Sequence, residues 1–387
     1  MKLAIFSTHP VQYHTALWRA LAAAPGVDAH VFYFSDMSVR GAVDPGFGVP
    51  VAWDVPLLKG YEFTFLSREA DLGRPWRVGL RRPQRLLGEG RFGAVLLQGY
   101  THGFERQILR AAKAMGTRVV MRGEFADIRR ISRPKGALRA AYLHWFYRQV
   151  DAFCNIGETA LRHLERFHVP SSRIFFSPYS VDSELFQAQA CSFDRQACRR
   201  ELGLADDLFV ILFSGKFIPR KEPLLLLEAI RRLPARDRIA LIMLGDGELR
   251  EAVLDQGRAL LQERFIAPGF VNQSGLGRYF AAADLHALPS NHETWGLVVN
   301  EAMYFGLPSV VSDRVGCHPD LVRPGETGLV FRSGDAGDLA RKMGDLVANP
   351  SLVRQMGETA KKLVARYSIG AARDGVLRAL EFGGLLS

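Results

Sequence analysis

The 387-residue sequence lacks any apolar run long enough to cross a membrane: its longest runs, Leu208–Phe213 and Ile239–Leu244, are only of strand length. Its start does not resemble a secretory signal, because polar residues follow the short apolar run Leu3–Phe6 almost at once. The four cysteines are scattered and form no CxxC pair, which excludes a disulfide framework and a cysteine zinc site. Low-complexity segments and short repeats are also missing. We therefore expect a globular protein in a reducing, cytoplasmic setting.

Acidic residues are scarce in the first half of the chain, which carries the whole excess of positive charge. Residues 1–180 have a net charge of +11 and residues 181–387 a net charge of −1. Much of the excess is arginine in two clusters. The first contains Arg68, Arg74, Arg77, Arg81, Arg82, Arg85 and Arg91; the second contains Arg129, Arg130, Arg133, Lys135, Arg139 and Arg148, mixed with Tyr142, Trp145, Phe146 and Tyr147. Such a half attracts a polyanion.

Three anionic partners come into question for this basic half. Nucleic acid is not expected, because no helix-turn-helix, zinc finger or aromatic RNA-binding strand pattern is visible. An anionic membrane surface suits basic residues interleaved with aromatic ones. A helix with one solvated basic face and one core face gives the same pattern, so both interpretations stay open. The third possibility is an acidic substrate.

Short apolar strands alternate with helical patterns along the chain, which predicts parallel sheets of the doubly wound kind. In the first half we predict strands at Lys2–Ser7, Ala29–Phe34, Ala94–Gln98, Thr117–Met121 and Ala152–Ile156. The pattern restarts with strands at Leu208–Ser214, Ile239–Leu244, Phe265–Pro268, Leu285–Leu288, Ser309–Ser312 and Gly328–Phe331. Strand signals lapse over Ser180–Asp207, the expected link. Ligands of such sheets bind at the carboxyl ends of the strands, so we expect a site in a cleft between two domains.

Two loops after predicted strands carry residues that suit a phosphate ligand. In Phe213–Lys221 a strand ends at Gly215 and the cations Lys216, Arg220 and Lys221 follow, in a position to meet a diphosphate. Taken alone, a solvated basic turn explains them more simply. The Gly245-Asp246-Gly247 turn indicates a nucleotide nearby, but such a sequence also makes an ordinary turn.

The third constellation, Pro289–Ala302, is the most specific. Glu293 lies in the loop after a strand, Gly296 precedes a helix, and Glu301 lies one turn inside that helix. The free N–H groups at Gly296, Leu297 and Val298 can bind phosphate. A carboxylate beside an apolar stretch needs a polar partner, and ribose hydroxyls would serve. Each glutamate alone is explained by capping or surface exposure, but together with the flanking motifs they indicate a ligand site.

At these residues the chain resembles the retaining glycosyltransferases of family 4, also described as glycosyl transferases group 1, which have the two-domain GT-B architecture. The resemblance is dense between Gly215 and Phe331. Its motifs are Gly215-Lys216 with Lys221, Gly245-Asp246-Gly247, Pro268-Gly269-Phe270-Val271, Ala283-Asp284, Pro289-Ser290, Glu293-x7-Glu301, Gly306-Leu307-Pro308, Ser312-Asp313 and Gly325-Glu326-Thr327-Gly328-Leu329-Val330. The link Pro178–Phe186 echoes the family, and His9–Leu21 resembles one branch of it.

The resemblance implies a role for each matching residue. Lys216 and Lys221 would hold the diphosphate of the donor, Glu293 would meet the donor sugar, and Glu301 would meet the ribose. The loop Gly269–Val271 would face the base. The expected catalytic residues are Glu293, Lys216 and Lys221, and the expected donor-binding residues are Gly215, Arg220, Gly245, Gly247, Phe270, Val271, Ser290, Gly296, Leu297, Val298 and Glu301. No metal or other cofactor is expected, because these enzymes stabilise the leaving diphosphate with cations and a helix N-terminus.

The sequence departs from the family pattern at three positions. Lys216 stands where arginine is common, which loses the bidentate fork. Trp295 stands where phenylalanine is common, and we expect it to be a packing residue. Arg122-Gly123-Glu124 follows the strand after which the family often has a histidine that contacts the donor sugar. His102 or His14 would take the place of that histidine. The candidates for contacts with donor or acceptor in the cleft are Gln12, His14, His102, Arg122 and Glu124.

We therefore expect an α/β protein of the GT-B type, with two doubly wound Rossmann-like domains that face a central cleft. They would comprise residues 1–180 with a returning C-terminal helix at 367–387, and residues 181–366. The expected activity is transfer of a sugar from a nucleotide diphosphate sugar to an anionic acceptor, a lipid-linked or polysaccharide glycan, with retention. The setting would be cytoplasmic, with peripheral association with the inner membrane face as a hypothesis. The alternatives are a non-catalytic nucleotide-sugar scaffold or sensor and another GT-B enzyme, such as a sugar-nucleotide epimerase.

Overall fold

The structure is a computed structural model that describes residues 1–41, 53–67, 83–125 and 133–382. Several members of the two basic clusters lie outside these residues: Arg68, Arg74, Arg77, Arg81, Arg82, Arg129 and Arg130. The described chain divides into two compact units. The first contains residues 1–41, 56–67, 83–125, 133–179 and 368–382, and the second contains residues 53–55 and 180–367.

The first unit is built on a parallel seven-stranded sheet with the order β3-β2-β1-β4-β5-β6-β7. Its strands are β1 (Lys2–Ser7), β2 (Asp28–Tyr33), β3 (Glu62–Phe65), β4 (Ala94–Leu97), β5 (Arg118–Arg122), β6 (Ala152–Asn155) and β7 (Ile174–Phe176). The five central strands are the predicted ones, because their apolar residues are buried. The two edge strands, β3 and β7, were missing from the prediction, since they are short and half exposed.

Helices cover the sheet of the first unit. They are α1 (Gln12–Ala22), α2 (Pro83–Gly90), α3 (Gly103–Ala114), α4 (Arg133–Gln149), α5 (Glu158–Arg166) and, from the end of the chain, α15 (Ile369–Glu381). The Ser368 side chain caps α15 by accepting a hydrogen bond from the Ala371 N–H at 3.2 Å. Val376 and Leu380 of α15 are buried in the same core as the β-strands. Packing of this apolar face, rather than chain proximity, makes α15 part of the first unit.

The second unit is built on a parallel six-stranded sheet with the order β10-β9-β8-β11-β12-β13. Its strands are β8 (Phe209–Ser214), β9 (Ile239–Leu244), β10 (Phe265–Gly269), β11 (Leu285–Leu288), β12 (Ser309–Ser312) and β13 (Gly328–Phe331). Its helices are α6 (Ser183–Ser192), α7 (Arg195–Glu201), α8 (Pro223–Arg231), α9 (Arg250–Leu261), α10 (Gly277–Ala282), α11 (Leu297–Tyr304), α12 (His318–Leu321), α13 (Ala336–Val347) and α14 (Pro350–Val364). All six strands match predicted ones within a residue at either end.

The segment predicted to be a link, Ser180–Asp207, contains the two helices α6 and α7. Each begins at an aspartate whose side chain accepts a backbone hydrogen bond: Asp182 from the Leu185 N–H at 3.2 Å, and Asp194 from the Ala197 N–H at 2.7 Å. The link is therefore a helical part of the second unit.

Candidate functional site

Each of the two sheets reverses its strand order at one position. In the second unit the reversal lies between β8 and β11, and in the first between β1 and β4. In doubly wound sheets ligands bind at the carboxyl ends of the strands at such a reversal. The predicted site residues of the second unit lie in the loops after β8, β9, β10 and β11, or in α11.

The loops after β8 and β9 are held tightly against each other. A Cβ atom on Gly245 would lie 1.9 Å from the carbonyl oxygen of Gly215, and Gly245 has a φ of +146°. The N–H of Gly215 donates to the Leu244 carbonyl at 2.9 Å, and that of Phe217 donates to the Asp246 carbonyl at 2.8 Å. Only glycine fits at Gly245. Gly215, Gly245 and Gly247 therefore belong to one rigid pair of turns.

The cations of the loop after β8 lie beside Glu293 of the loop after β11. The Lys221 ammonium forms an ion pair with the Glu293 carboxylate, and Nη1 of Arg220 lies 3.8 Å from Oε1 of the same group. Lys221 and Glu293 are largely buried, whereas Arg220 is more accessible. Lys216, in the same loop, is half-buried. Charges removed from water need partners. The structure brings Glu293, Lys221 and Arg220 together from two separate loops.

The N-terminus of α11 completes this side of the sheet. Gly296 precedes the helix with a φ of +98°, and Leu297 and Val298 form its first turn. The N–H groups of a first helical turn lack intrahelical partners and attract anions. Nearby, the Ser290 hydroxyl is buried without a hydrogen-bond partner in the described structure. Such a group favours a site that a polar ligand completes.

The remaining predicted residues of the second unit lie on α11 and after β10. Glu301 is buried on α11, one turn beyond its start. Phe270 and Val271 follow β10, whose last residue accepts a 2.9 Å hydrogen bond at its carbonyl from the Gly245 N–H. This hydrogen bond joins the start of the loop after β10 to the Gly245-Asp246-Gly247 turn.

Trp295, at a position where the sequence departs from the family pattern, is a packing residue. Its side chain is buried, its Nε1 donates to Oδ1 of Asn300 at 2.9 Å, and its ring lies 6.1 Å from that of Tyr367. The expected packing role of Trp295 therefore agrees with its contacts in the second unit.

A buried histidine near the cations was absent from the predicted site. His286 lies on β11, and its Nδ1 is 3.1 Å from the Ser309 hydroxyl. Burial, and secondarily the charge of Lys221, lowers the pKa of His286 to about 3. It is therefore neutral at physiological pH. A single histidine inside an apolar strand gives no sequence pattern that distinguishes it from a core residue.

A pocket of about 310 Å³ lies at the strand-order reversal of the first unit. Its lining residues come from the loops after β1, β4, β5 and β6, from the starts of α1 and α3, and from Tyr179. They include four of the five predicted candidates, His14, His102, Arg122 and Glu124. Gln12 is not among them, because its side chain is buried in the first turn of α1. The volume is at the lower end of the range for small-molecule sites.

Two charged groups of this pocket, those of Arg122 and Glu105, have protein partners. The buried Arg122 guanidinium donates to the carbonyls of Ser177 and Pro178, at 3.4 and 2.9 Å. The Glu105 carboxylate accepts from the His102 N–H at 2.8 Å, which caps α3. These two charges therefore hold the pocket wall.

The uncharged groups have unused capacity. His14 Nε2 lies 3.2 Å from the Tyr179 hydroxyl, while His14 Nδ1 and Gln98 Nε2 are buried without partners in the described structure. Burial, followed by the charges of Arg122 and His9, lowers the pKa of His14 to about 3. The neutral pair of a histidine nitrogen and an amide N–H suits a hydroxyl group. Gln98 and Tyr179 were absent from the predicted site, and only their proximity in the folded structure identifies them.

Known structures share this architecture over nearly the whole chain. Sucrose-phosphate synthase from Thermosynechococcus elongatus matches 99% of this chain and 99% of its own, with a TM-score of 0.74 and 18% identity. Anabaena HepE in complex with UDP matches 99% of this chain and 100% of its own, with a TM-score of 0.74 and 17% identity. Two parallel-sheet Rossmann-like units and these likenesses define a GT-B protein, so the predicted fold class is confirmed.

The sequence comparisons bear on the second unit. Residues 194–363 match the family model of glycosyl transferases group 1, in the part of the chain where the motifs of that family lie. The D-inositol 3-phosphate glycosyltransferase of Geodermatophilus obscurus is 32% identical over 241 residues, which cover 56% of this chain and 52% of the relative. That of Nocardia farcinica is 33% identical, over 58% and 50%. The chain thus spans about half the length of the curated relatives it matches.

Proposed function

We propose that this chain is a retaining glycosyltransferase that moves a hexosyl-type sugar from a nucleotide diphosphate sugar to an acceptor hydroxyl. The observation that carries the proposal is the grouping of Lys221, Arg220 and Glu293 at the reversal between β8 and β11, beside the N-terminus of α11. Cations and free N–H groups there match a diphosphate, and carboxylates match sugar hydroxyls. The Anabaena relative in fold was solved with UDP and with UDP-glucose, which supports a nucleotide sugar as the donor.

The proposed reaction needs stabilisation of a leaving diphosphate. The bond between the anomeric carbon and the diphosphate oxygen breaks, and the acceptor oxygen bonds to that carbon on the same face. The acceptor proton passes to an oxygen of the departing diphosphate. Lys216, Lys221 and the first turn of α11 would stabilise the negative charge that develops on that group. The proposal needs no metal ion, since these groups supply the positive charge.

For the acceptor we propose the pocket of the first unit. The unpartnered nitrogens of His14 and Gln98 would position the hydroxylated part of the acceptor. The net charge of +11 on residues 1–180 favours an acceptor with a negative charge elsewhere, such as a lipid-linked diphosphate or a polysaccharide precursor.

Substitution of Glu293 tests the catalytic assignment. We expect Glu293→Ala to lower transfer by a factor on the order of 10²–10³, because the donor sugar loses its carboxylate. The affinity for the nucleoside diphosphate, measured by calorimetry, should change little. The matched control is Glu228→Ala, which removes an exposed carboxylate paired with Arg232 on α8. Undiminished transfer by Glu293→Ala would show that its assigned role is wrong.

The same assay separates the alternative functions. A scaffold or sensor would bind the nucleotide sugar without transfer or hydrolysis. An epimerase would keep a labelled sugar on the nucleotide, whereas a transferase moves the label to the acceptor.

We also propose that α4 attaches the protein to an anionic membrane surface. Leu138 and Trp145 project from this helix with 74% and 39% of their surface exposed, and Lys135 and Arg148 are exposed on the same helix. The Arg110 guanidinium lies 5.5 Å from the Trp145 ring centroid. Exposed apolar and basic groups together are typical of helices at a lipid interface. No helix among the described residues is long and apolar enough to span a bilayer.

Vesicle flotation tests this attachment. We expect binding to vesicles that contain anionic lipid, and loss of that binding in Leu138→Glu with Trp145→Ala. The matched control, Met115→Glu, changes an exposed apolar residue outside α4. Binding that does not depend on anionic lipid, or that survives in the α4 variant, would disprove the proposal.

A further inference from the structure

Three residues from early in the sequence are part of the second unit. Asp54 and Ser274 lie 220 positions apart, and the Asp54 carboxylate accepts hydrogen bonds from the Ser274 N–H, at 3.1 Å, and from its hydroxyl. The Asp54 N–H donates to Oδ1 of Asn272 at 3.3 Å. The Trp53 ring meets that of Phe270 edge-on, with centroids 5.9 Å apart. Residues 53–55 therefore belong to the second unit, whereas the sequence predicted that they belong to the first.

These contacts all fall on one segment, Phe270–Ser274, which follows β10 and runs into a short 3₁₀ helix, Gln273–Gly275, before α10. We refer to this segment as the loop after β10. The loop begins after Gly269, whose φ of +91° turns the chain away from the sheet. Asn272 is a second anchor, because its side chain also accepts from the Gln273 N–H at 3.0 Å. Its neighbours Phe270 and Val271 are the residues expected to face the base of the donor. The anchored loop and the proposed base site are therefore the same segment.

We infer that Asp54 and Trp53 are positioning residues for the nucleotide base, and that they contribute to donor affinity and to the choice of base. The inference rests on the proposed function. Neither residue needs to touch the nucleotide: Asp54 holds the backbone at Ser274, and Trp53 holds the ring of Phe270. A loop fixed in its bound conformation binds more tightly, because the ordering cost is met before the ligand arrives.

The exposure of Asp54 limits the loss of nucleotide affinity that its substitution can cause. Hydrogen bonds to a charged carboxylate are stronger than neutral ones, but Asp54 is exposed and water competes for the same groups. We therefore expect a moderate loss of nucleotide affinity, about three- to tenfold.

The test compares a nucleoside diphosphate with pyrophosphate. Calorimetry would measure UDP, GDP, ADP and inorganic pyrophosphate on the parent chain, Asp54→Ala, Ser274→Ala and the double variant. We expect Asp54→Ala to weaken the preferred nucleoside diphosphate about three- to tenfold and to leave pyrophosphate unchanged, because pyrophosphate has no base. The double variant should lose less than the sum of the two single changes. With the natural donor, KM should rise while kcat stays constant.

Two further variants complete the design. Trp53→Leu should reduce the discrimination among the three bases, and Glu89→Ala, which removes an exposed carboxylate paired with Arg85 on α2, is the control. Unchanged nucleotide affinity in Asp54→Ala and Trp53→Leu would overturn the inference, and so would an equal loss for UDP and pyrophosphate. A parent chain that binds none of the three nucleotides would instead overturn the proposed function itself.

Discussion

At the scale of single residues, the candidate donor site depends on close approach between backbones. Gly245 has a positive φ, and a Cβ there would overlap the Gly215 carbonyl oxygen. Gly334 also has a positive φ, but a Cβ there would meet nothing within 4 Å. A Cβ at Gly334 would therefore add backbone strain alone, whereas a Cβ at Gly245 would add both backbone strain and a steric clash.

We predict that Gly245→Ala lowers the free energy of unfolding by about 2–4 kcal/mol, because the two turns must separate. Gly334→Ala should cost only about 1 kcal/mol. Urea unfolding of both variants measures the difference, and thermal shifts with nucleotide show whether the displaced turn also weakens binding. Equal costs for the two variants would show that the contact with Gly215 is unimportant.

The grouping of the charged residues at the candidate site could be predicted from the sequence, whereas several uncharged neighbours could not. Lys221 and Glu293 lie in loops directly after apolar strands, and parallel strands bring such loops to one edge of the sheet. His286 and Gln98 are isolated polar residues with apolar neighbours in sequence, so only their three-dimensional surroundings identify them. The contact between Asp54 and Ser274 could not be predicted, because nothing in residues 53–55 indicates a partner 220 positions later in the sequence.

At the scale of secondary-structure elements, an ion network fixes α7 to the sheet. The buried Arg199 guanidinium binds the Asp284 carboxylate at 2.6 Å and the Ala282 carbonyl at 3.0 Å. Asp284 also accepts from the Val210 N–H of β8 at 2.8 Å. The family motif Ala283-Asp284 therefore has a structural role in this chain, away from the charged loops of the site.

We predict that Asp284→Ala lowers the free energy of unfolding by about 3–5 kcal/mol, because it leaves the Arg199 charge buried without its partner. The double variant Arg199→Met with Asp284→Ala should recover part of the loss, since no uncompensated charge remains. Chemical denaturation of the single and double variants measures this. A single variant that loses less than about 1 kcal/mol, the value typical of exposed ion pairs, would contradict the prediction.

Elements differed in how well they could be predicted, and burial explains the difference. Central strands such as β9 are continuous apolar runs because both faces are covered. The edge strands β3 and β7 are half exposed, so their sequences resemble loops. The helices α6 and α7 lie where strand signals lapse, and the caps at Asp182 and Asp194 were the signals that could have revealed them.

At the scale of the whole molecule, each unit contains a buried neutral histidine, His14 in the first and His286 in the second. Burial lowers the pKa of both to about 3. An unfolded chain has a histidine pKa near 6.5. Below that pH the unfolded state therefore binds protons that the folded state does not, and this favours unfolding.

We predict that the free energy of unfolding falls between pH 6.5 and pH 3, by up to about 1.4 kcal/mol per pH unit for each of the two histidines. Denaturant titrations at several pH values would measure this slope. His286→Gln should reduce it, because the protonation difference at this position is then removed. An unchanged slope in His286→Gln would show that this histidine does not remain neutral on acidification.

The position of α15 has a consequence for how the protein matures. Val376 and Leu380 fill the core beneath β6 and β7, and a Cβ on Gly375 would lie only 2.1 Å from the Phe176 carbonyl oxygen. During translation every strand of the second unit leaves the ribosome before this helix does. The first half of the chain, although made earlier, must therefore wait with part of its apolar core uncovered, and it needs protection from aggregation until α15 has been made.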